Sequence, residues 1–167
     1  MVATHSLLTE VARRLLKAPP ADAGSARRIP LSTVRGIAGG VEERLAEEGI
    51  QDVATMALAD PLNLMRVTAF DKRQILGWID EALLIVCLPR HWQSLEEAGM
   101  TGAIDLAWCV TTPGVDMAKL GATVGLDGGI LEAAARRLSE DMQVVIVWAL
   151  YQTVSEGDPD DEKPPAV

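Results

Sequence analysis

The run Thr33-Val34-Arg35-Gly36-Ile37-Ala38-Gly39-Gly40-Val41-Glu42-Glu43-Arg44-Leu45 constrains this chain most. It sets glycines between two helix-forming stretches. Glycine reaches positive φ without a Cβ clash, so the chain can reverse tightly there. An apolar residue held between such glycines, here Ile37, can plug the gap between two helices. A fainter copy recurs as Val124-Gly125-Leu126-Asp127-Gly128-Gly129-Ile130. Gly36, Ile37, Ala38, Gly39, Gly125 and Gly128 are therefore the expected hairpin-turn residues.

Apolar periodicity elsewhere is helical. Leu7, Leu8, Val11, Leu15 and Leu16 form one stripe over Thr4–Lys17, with Arg13, Arg14 and Lys17 off it. Pro19, Pro20 and Gly24 then mark a linker. Short helices are predicted over Leu31–Arg35, Val41–Glu48, Val53–Ala59 and Leu62–Val67. Gly49 is read as a C′ stop, and Asp60-Pro61 as a start. Lys72–Leu88 reads as a long helix, apolar on nearly every face and closed by Pro89.

The second half repeats this grammar. Leu95-Glu96-Glu97-Ala98-Gly99-Met100 echoes Leu45-Ala46-Glu47-Glu48-Gly49-Ile50. Ser94 and Glu97 have capping-box spacing. Val115–Val124 and Leu131–Leu138 are predicted helices. Asp141–Val154 is apolar almost throughout; its β-branched residues permit a strand, but no partner strand is evident, and a buried helix is the favoured reading. The expected fold class is all-α: tandem hairpin units behind a mobile N-terminal amphipathic helix. The expected divisions are 1–28 (arm and linker), 29–90 (first unit), 91–155 (second unit packed on the first) and 156–167 (acidic disordered tail).

Val34-Arg35-Gly36-Ile37-Ala38, Leu45, Gly49-Ile50, Val53, Ala57, Leu58-Ala59-Asp60-Pro61, Leu64 and Ile75 to Ala82 resemble the helix-hairpin-helix superfamily. They look like the tandem hairpin domains of uncharacterised bacterial proteins. The resemblance covers about residues 31–88, with a weaker copy over about 92–154. It implies small α-helical units in pseudo-twofold pairs. In the family's DNA-binding members, hairpin N–H groups and the following helix N-terminus hold a phosphate. Here the third hairpin position is Ala38, and Glu42 and Glu43 stand where those members carry Lys or Arg. Helix packing is the favoured role for the hairpins. Under the alternative of nucleic-acid binding, Arg35, Arg44, Lys72 and Arg73 would touch phosphates.

The net charge of −9 opposes phosphate-backbone binding, so nucleic acid is not the expected partner. The charge is unevenly placed: residues 1–35 carry six Lys/Arg against Glu10 and Asp22. No catalytic constellation is present. His5 lies in the N-terminal arm and His91 follows Pro89, so the three or four converging ligands a zinc site needs are not in view, and no metal or cofactor is expected. Cys87 and Cys109 lack Cys-x-x-Cys spacing and read as reduced, buried thiols. The pairs Glu42-Glu43, Glu47-Glu48, Asp80-Glu81 and Glu96-Glu97 read as solvated helix faces. No stretch is long enough to span a membrane, the N-terminus does not read as a signal peptide, and a cytoplasmic location is expected.

Among the tryptophans, Trp78 and Trp148 are expected in the core. Trp92 and Trp108 stand between core packing and a partner anchor. The expectation is a non-enzymatic protein-protein interaction or assembly module, either a homo-oligomer or a complex. Its candidate contact residues are Leu7, Leu8, Val11, Leu15, Trp92 and Trp108. A small-molecule binder with an apolar cavity between helices is a third reading.

Overall fold

Aspartate starts most of the helices in this protein. In the computed structural model, which describes residues 28–155, the chain makes a 3-10 turn (Leu31–Thr33) and nine α-helices. These are α1 (Gly40–Glu47), α2 (Val53–Ala57), α3 (Pro61–Val67), α4 (Lys72–Cys87), α5 (Trp92–Glu97), α6 (Ala103–Cys109), α7 (Met117–Val124), α8 (Gly128–Ser139) and α9 (Met142–Ser155). Among the described residues there is no strand, so the fold is all-α. Asp52, Asp60, Asp71, Asp116 and Asp127 each accept a backbone N–H at the start of a helix. Asp141 does the same for Gln143 and Val144 of α9. An N-cap carboxylate satisfies donors that the first turn leaves open and complements the helix dipole. Much of the acidic excess is therefore committed to helix starts.

The stops are equally regular. Ile50 N–H donates to Leu45 O (3.0 Å) and Gly49 N–H to Ala46 O (3.0 Å). Met100 N–H donates to Leu95 O (2.8 Å) and Gly99 N–H to Glu96 O (2.9 Å). These are two Schellman stops, with Gly49 and Gly99 at φ +82° and +91°. The sequence echo between Leu45–Ile50 and Leu95–Met100 is thus one hydrogen-bonding pattern used twice.

At the first hairpin, Gly36 (φ +80°) and Gly39 (φ +51°) flank Ile37, which is buried. The predicted helix Leu31–Arg35 is shorter, because Val34 turns extended at ψ 131°. In the second copy Gly125 caps α7 at φ +72°, but Gly128 is the first residue of α8 rather than a turn residue. It is small for another reason. A Cβ there would come within 2.7 Å of Ala118 Cα, and one at Gly121 within 2.6 Å of Leu126 O. Helices α7 and α8 therefore meet backbone to backbone.

Helix α4 is the axis. It packs against α2, α3, α6 and α9, and buries Ile75, Leu76, Trp78, Ile79 and Ala82 through Ile85. Helix α6 also packs against α8 and α9. One apolar cluster runs from Leu31 to Val147 across both halves of the chain. Ser94 lies inside α5, whose N-cap is His91 with no side-chain cap bond, so the expected capping box is not formed. The expected arm 1–28, apart from Arg28 itself, and the tail 156–167 lie outside the described residues. So do Leu7, Leu8, Val11, Leu15 and His5.

Candidate functional site

Met142–Ser155 contains no charged residue. As a helix it turns Val144 and Val147 into the core and leaves Met142 (71% exposed), Val145 (47%) and Ile146 (38%) facing out. Ala149 is exposed on the same side. The expected helix is present, but its burial is one-sided. A helix has only one face toward a core, and here the opposite face stays apolar.

Beside that face lies a groove of about 210 Å³, lined by Ile104, Ala107, Trp108, Val144, Val145 and Trp148. Trp108 is 48% exposed and meets Trp148 edge to face, with ring centroids 5.0 Å apart and planes at 66°. Trp148, expected in the core, is half-buried at the groove wall. Trp92 is half-buried against the main core and does not line the groove. Among the described residues, the only hydroxyls lining the groove are those of Thr111 and Ser139. No titratable side chain among the described residues lines it, so the groove suits apolar contact, and its two hydroxyls, which donate to Trp108 O and Arg136 O, have no base among its lining residues.

A second, polar seam joins the hairpin to α4, α5 and α6. Arg35 donates to Glu81 from its backbone N–H (3.1 Å) and from Nε (3.2 Å). The same Nε lies 3.2 Å from Glu96, and Nη2 donates to Thr101 O (3.3 Å). Trp78 Nε1 donates to Arg35 O (3.0 Å). Burial pushes the Glu81 carboxyl up, while the Arg35 N–H bond and guanidinium hold it down. The neighbouring Asp80 turns to a different partner: its carboxylate accepts Ile104 N–H (2.9 Å) at the start of α6. Burial raises Asp80 to about 7.

The reading of Asp80-Glu81 as a solvated pair is therefore corrected. Glu81 is buried and Asp80 half-buried. The signal was present, because both sit between Ile79 and Ala82 in a helix apolar on nearly all sides, which leaves little solvent face for two charges.

Two of the candidate phosphate-contacting residues, Arg35 and Arg44, are engaged by carboxylates. Arg35 is held by Glu81 and Glu96. Arg44 pairs with Glu47 and Glu48 (both 2.8 Å) and donates to Val67 O. Lys72 and Arg73 open α4, where Asp71 already accepts the N–H groups of Arg73 and Gln74. Burial pushes both thiols, Cys87 and Cys109, upward. His91 Nδ1 lies 3.4 Å from Val124 O. Among the described residues no group of three His, Cys, Asp or Glu is placed to hold a metal. None of the described helices is long and apolar enough to cross a membrane. No family model, curated protein or solved structure matches the chain.

Proposed function

We propose that this chain is a non-enzymatic, cytoplasmic interaction module of helix-hairpin-helix type, which docks an apolar protein helix on the outer face of α9. The observation that carries the reading is the uncharged exposed stripe Met142, Val145, Ile146 and Ala149 beside the Trp108–Trp148 groove. Contiguous exposed apolar surface of this kind marks association, and an apolar stripe beside a groove is the geometry of helix-in-groove recognition. Aromatic residues such as Trp108 and Trp148, which line that groove, are the kind that dominate interface energies. The engagement of Arg35 and Arg44 by carboxylates weighs against the nucleic-acid alternative.

A photo-crosslinking side chain placed at Val145 in the native host tests this. Discrete protein adducts are expected from position 145 and none from the exposed Thr123 on α7. Equal labelling at both positions, or no adduct at 145 either to another protein or within the chain, overturns the reading.

A further inference from the structure

We infer that the α9 face is a docking surface for the chain's own N-terminal segment, Thr4–Lys17, on the same molecule. This rests on the reading of that face as a docking surface, and it names the occupant.

Length is the first observation. Thr4–Lys17 has as many residues as α9, which has 14. As a helix each would be about 21 Å long. The segment's stripe of Leu7, Leu8, Val11 and Leu15 is an apolar face needing cover, and α9 presents an apolar face without one.

The tether is the second. Ile29 O accepts Val53 N–H (3.0 Å), which fixes the start of the described chain at the beginning of α2. Past the other end of this five-residue helix, Ala59 O accepts Gln143 Nε2 (2.7 Å) from the first turn of α9. The origin of the arm and the start of α9 are thus separated by little more than one short helix. Residues 18–27 span up to about 33 Å when extended, more than that separation requires.

Charge is the third, and it sets direction. Arg13, Arg14 and Lys17 lie at the end of the segment nearest the tether, and Glu140 and Asp141 lie just before α9. An arm antiparallel to α9 brings these opposite charges together and carries Leu7 and Leu8 toward Ala149. Charge complementarity of this kind fixes register and orientation more than it adds affinity. The tether raises the effective concentration of the arm above that of any dilute partner.

Hydroxyl-radical footprinting of the full chain tests the inference, with Met142 as reporter and the fully buried Met56 as internal reference. The comparison is wild type against the double substitution Leu8→Asp/Val11→Asp, which puts two charges on the segment's apolar stripe. Met142 is expected to oxidise about tenfold faster in the variant, the factor for an undocked state populated at roughly 10% in the wild type. Met56 is expected to be unchanged, and both proteins to have monomer mass. The exposed substitution Ile146→Asp is expected to speed tryptic cleavage after Arg13, Arg14 and Lys17. Equal Met142 oxidation in the two proteins overturns the inference, as does protection that grows with concentration alongside a dimer mass. If Met142 is open in both while position 145 still yields protein adducts, the arm is excluded and the docking face stands. Absence of both signals removes both.

Discussion

The carboxylate of Asp80 occupies the space that a side chain at position 102 would fill: a Cβ on Gly102 would overlap it. Gly102 is the N-cap of α6 and offers no side chain of its own for that role. Asp80 supplies the cap from α4, accepting Ile104 N–H. A residue of the first half thus starts a helix of the second, and only glycine leaves room for it. Gly102→Ala is expected to destabilise the protein by about 1–3 kcal/mol through overpacking and loss of the cap. The loss should shrink in the Asp80→Ala background, where the overlap is gone. Denaturant unfolding of the four proteins of this cycle measures the coupling; additive losses would show that the two residues act independently.

Asp80 also gives stability a pH dependence of definite sign. Burial raises its carboxyl from 3.8 to about 7, reinforced by the charges of Asp105 and Glu81 and opposed by the N–H groups of Ile104 and Ala103. Between those two values the folded state holds a proton that the unfolded chain has released. The contribution of this group is therefore greatest below about pH 4, declines as pH rises toward 7, and is level above. Asp80→Asn removes the titration and keeps a carbonyl oxygen for Ile104. The melting temperature of the wild type is expected to fall relative to the variant by at least about 3 °C between pH 5 and 8. Parallel melting curves across that range would contradict the assignment.

Glycines 40 and 128 should respond to alanine with opposite signs. A Cβ at Gly128 meets the backbone of Ala118, so Gly128→Ala must separate α7 from α8 at a cost of about 1–3 kcal/mol. Gly40 has open space around its Cβ position, lies in the first turn of α1 and is not at positive φ. Gly40→Ala is expected to gain about 0.4–1 kcal/mol by restricting the unfolded chain. Chemical denaturation at neutral pH reads both changes, and a common sign would refute the close approach of α7 and α8.

Arg35 joins the hairpin to Glu81 and Glu96, and Glu81 is the buried partner. The Arg35 side chain is itself about half exposed (52%), so only part of the penalty for breaking a buried pair applies. Arg35→Met is expected to cost about 1–3 kcal/mol, most of it from Glu81 losing the guanidinium and keeping only the backbone N–H of position 35. The Glu81 carboxyl should then titrate higher still. Restoration of stability by Glu81→Gln in the Arg35→Met background would locate the penalty at that carboxyl; a loss unchanged by it would place the cost elsewhere.

The elements legible in sequence were those specified by local chemistry. Asp60-Pro61 and Gly49 mark helix ends through hydrogen bonds made within a few residues, and the twin Leu45–Ile50 and Leu95–Met100 stops were visible as a repeat. What sequence reading missed depends on contacts distant along the chain. Gly128 looked like a turn residue because nothing local reveals that Ala118 presses on it. Asp80 and Glu81 looked solvated because adjacent acids usually are, although the helix around them, with Ile79 and Ala82 on either side, is apolar on nearly every face. The candidate site was half legible. The uncharged run Met142–Tyr151 was plain, but which of its faces meets α4 and α6 is settled by packing, as is the pairing of Trp108 with Trp148.

One-sided burial of α9 has a sharp consequence at two positions of the same helix. Val147 is fully buried, and Val145 is 47% exposed. The side chains are identical and the helix propensities equal, so any difference between substitutions comes from environment alone. Val147→Asp places an unpaired carboxylate in the core and removes the valine packing. It is expected to cost more than about 4 kcal/mol, enough to unfold a domain of ordinary stability. Val145→Asp adds a charge to an exposed face and is expected to change stability by less than about 0.5 kcal/mol in the body of the protein. Any contribution from a docked arm would add to that, and would vanish in the Leu8→Asp/Val11→Asp background. Circular dichroism melts of the two variants in that background isolate the body. Equal destabilisation by both would mean that α9 is buried all round, and the exposed apolar face would then not exist.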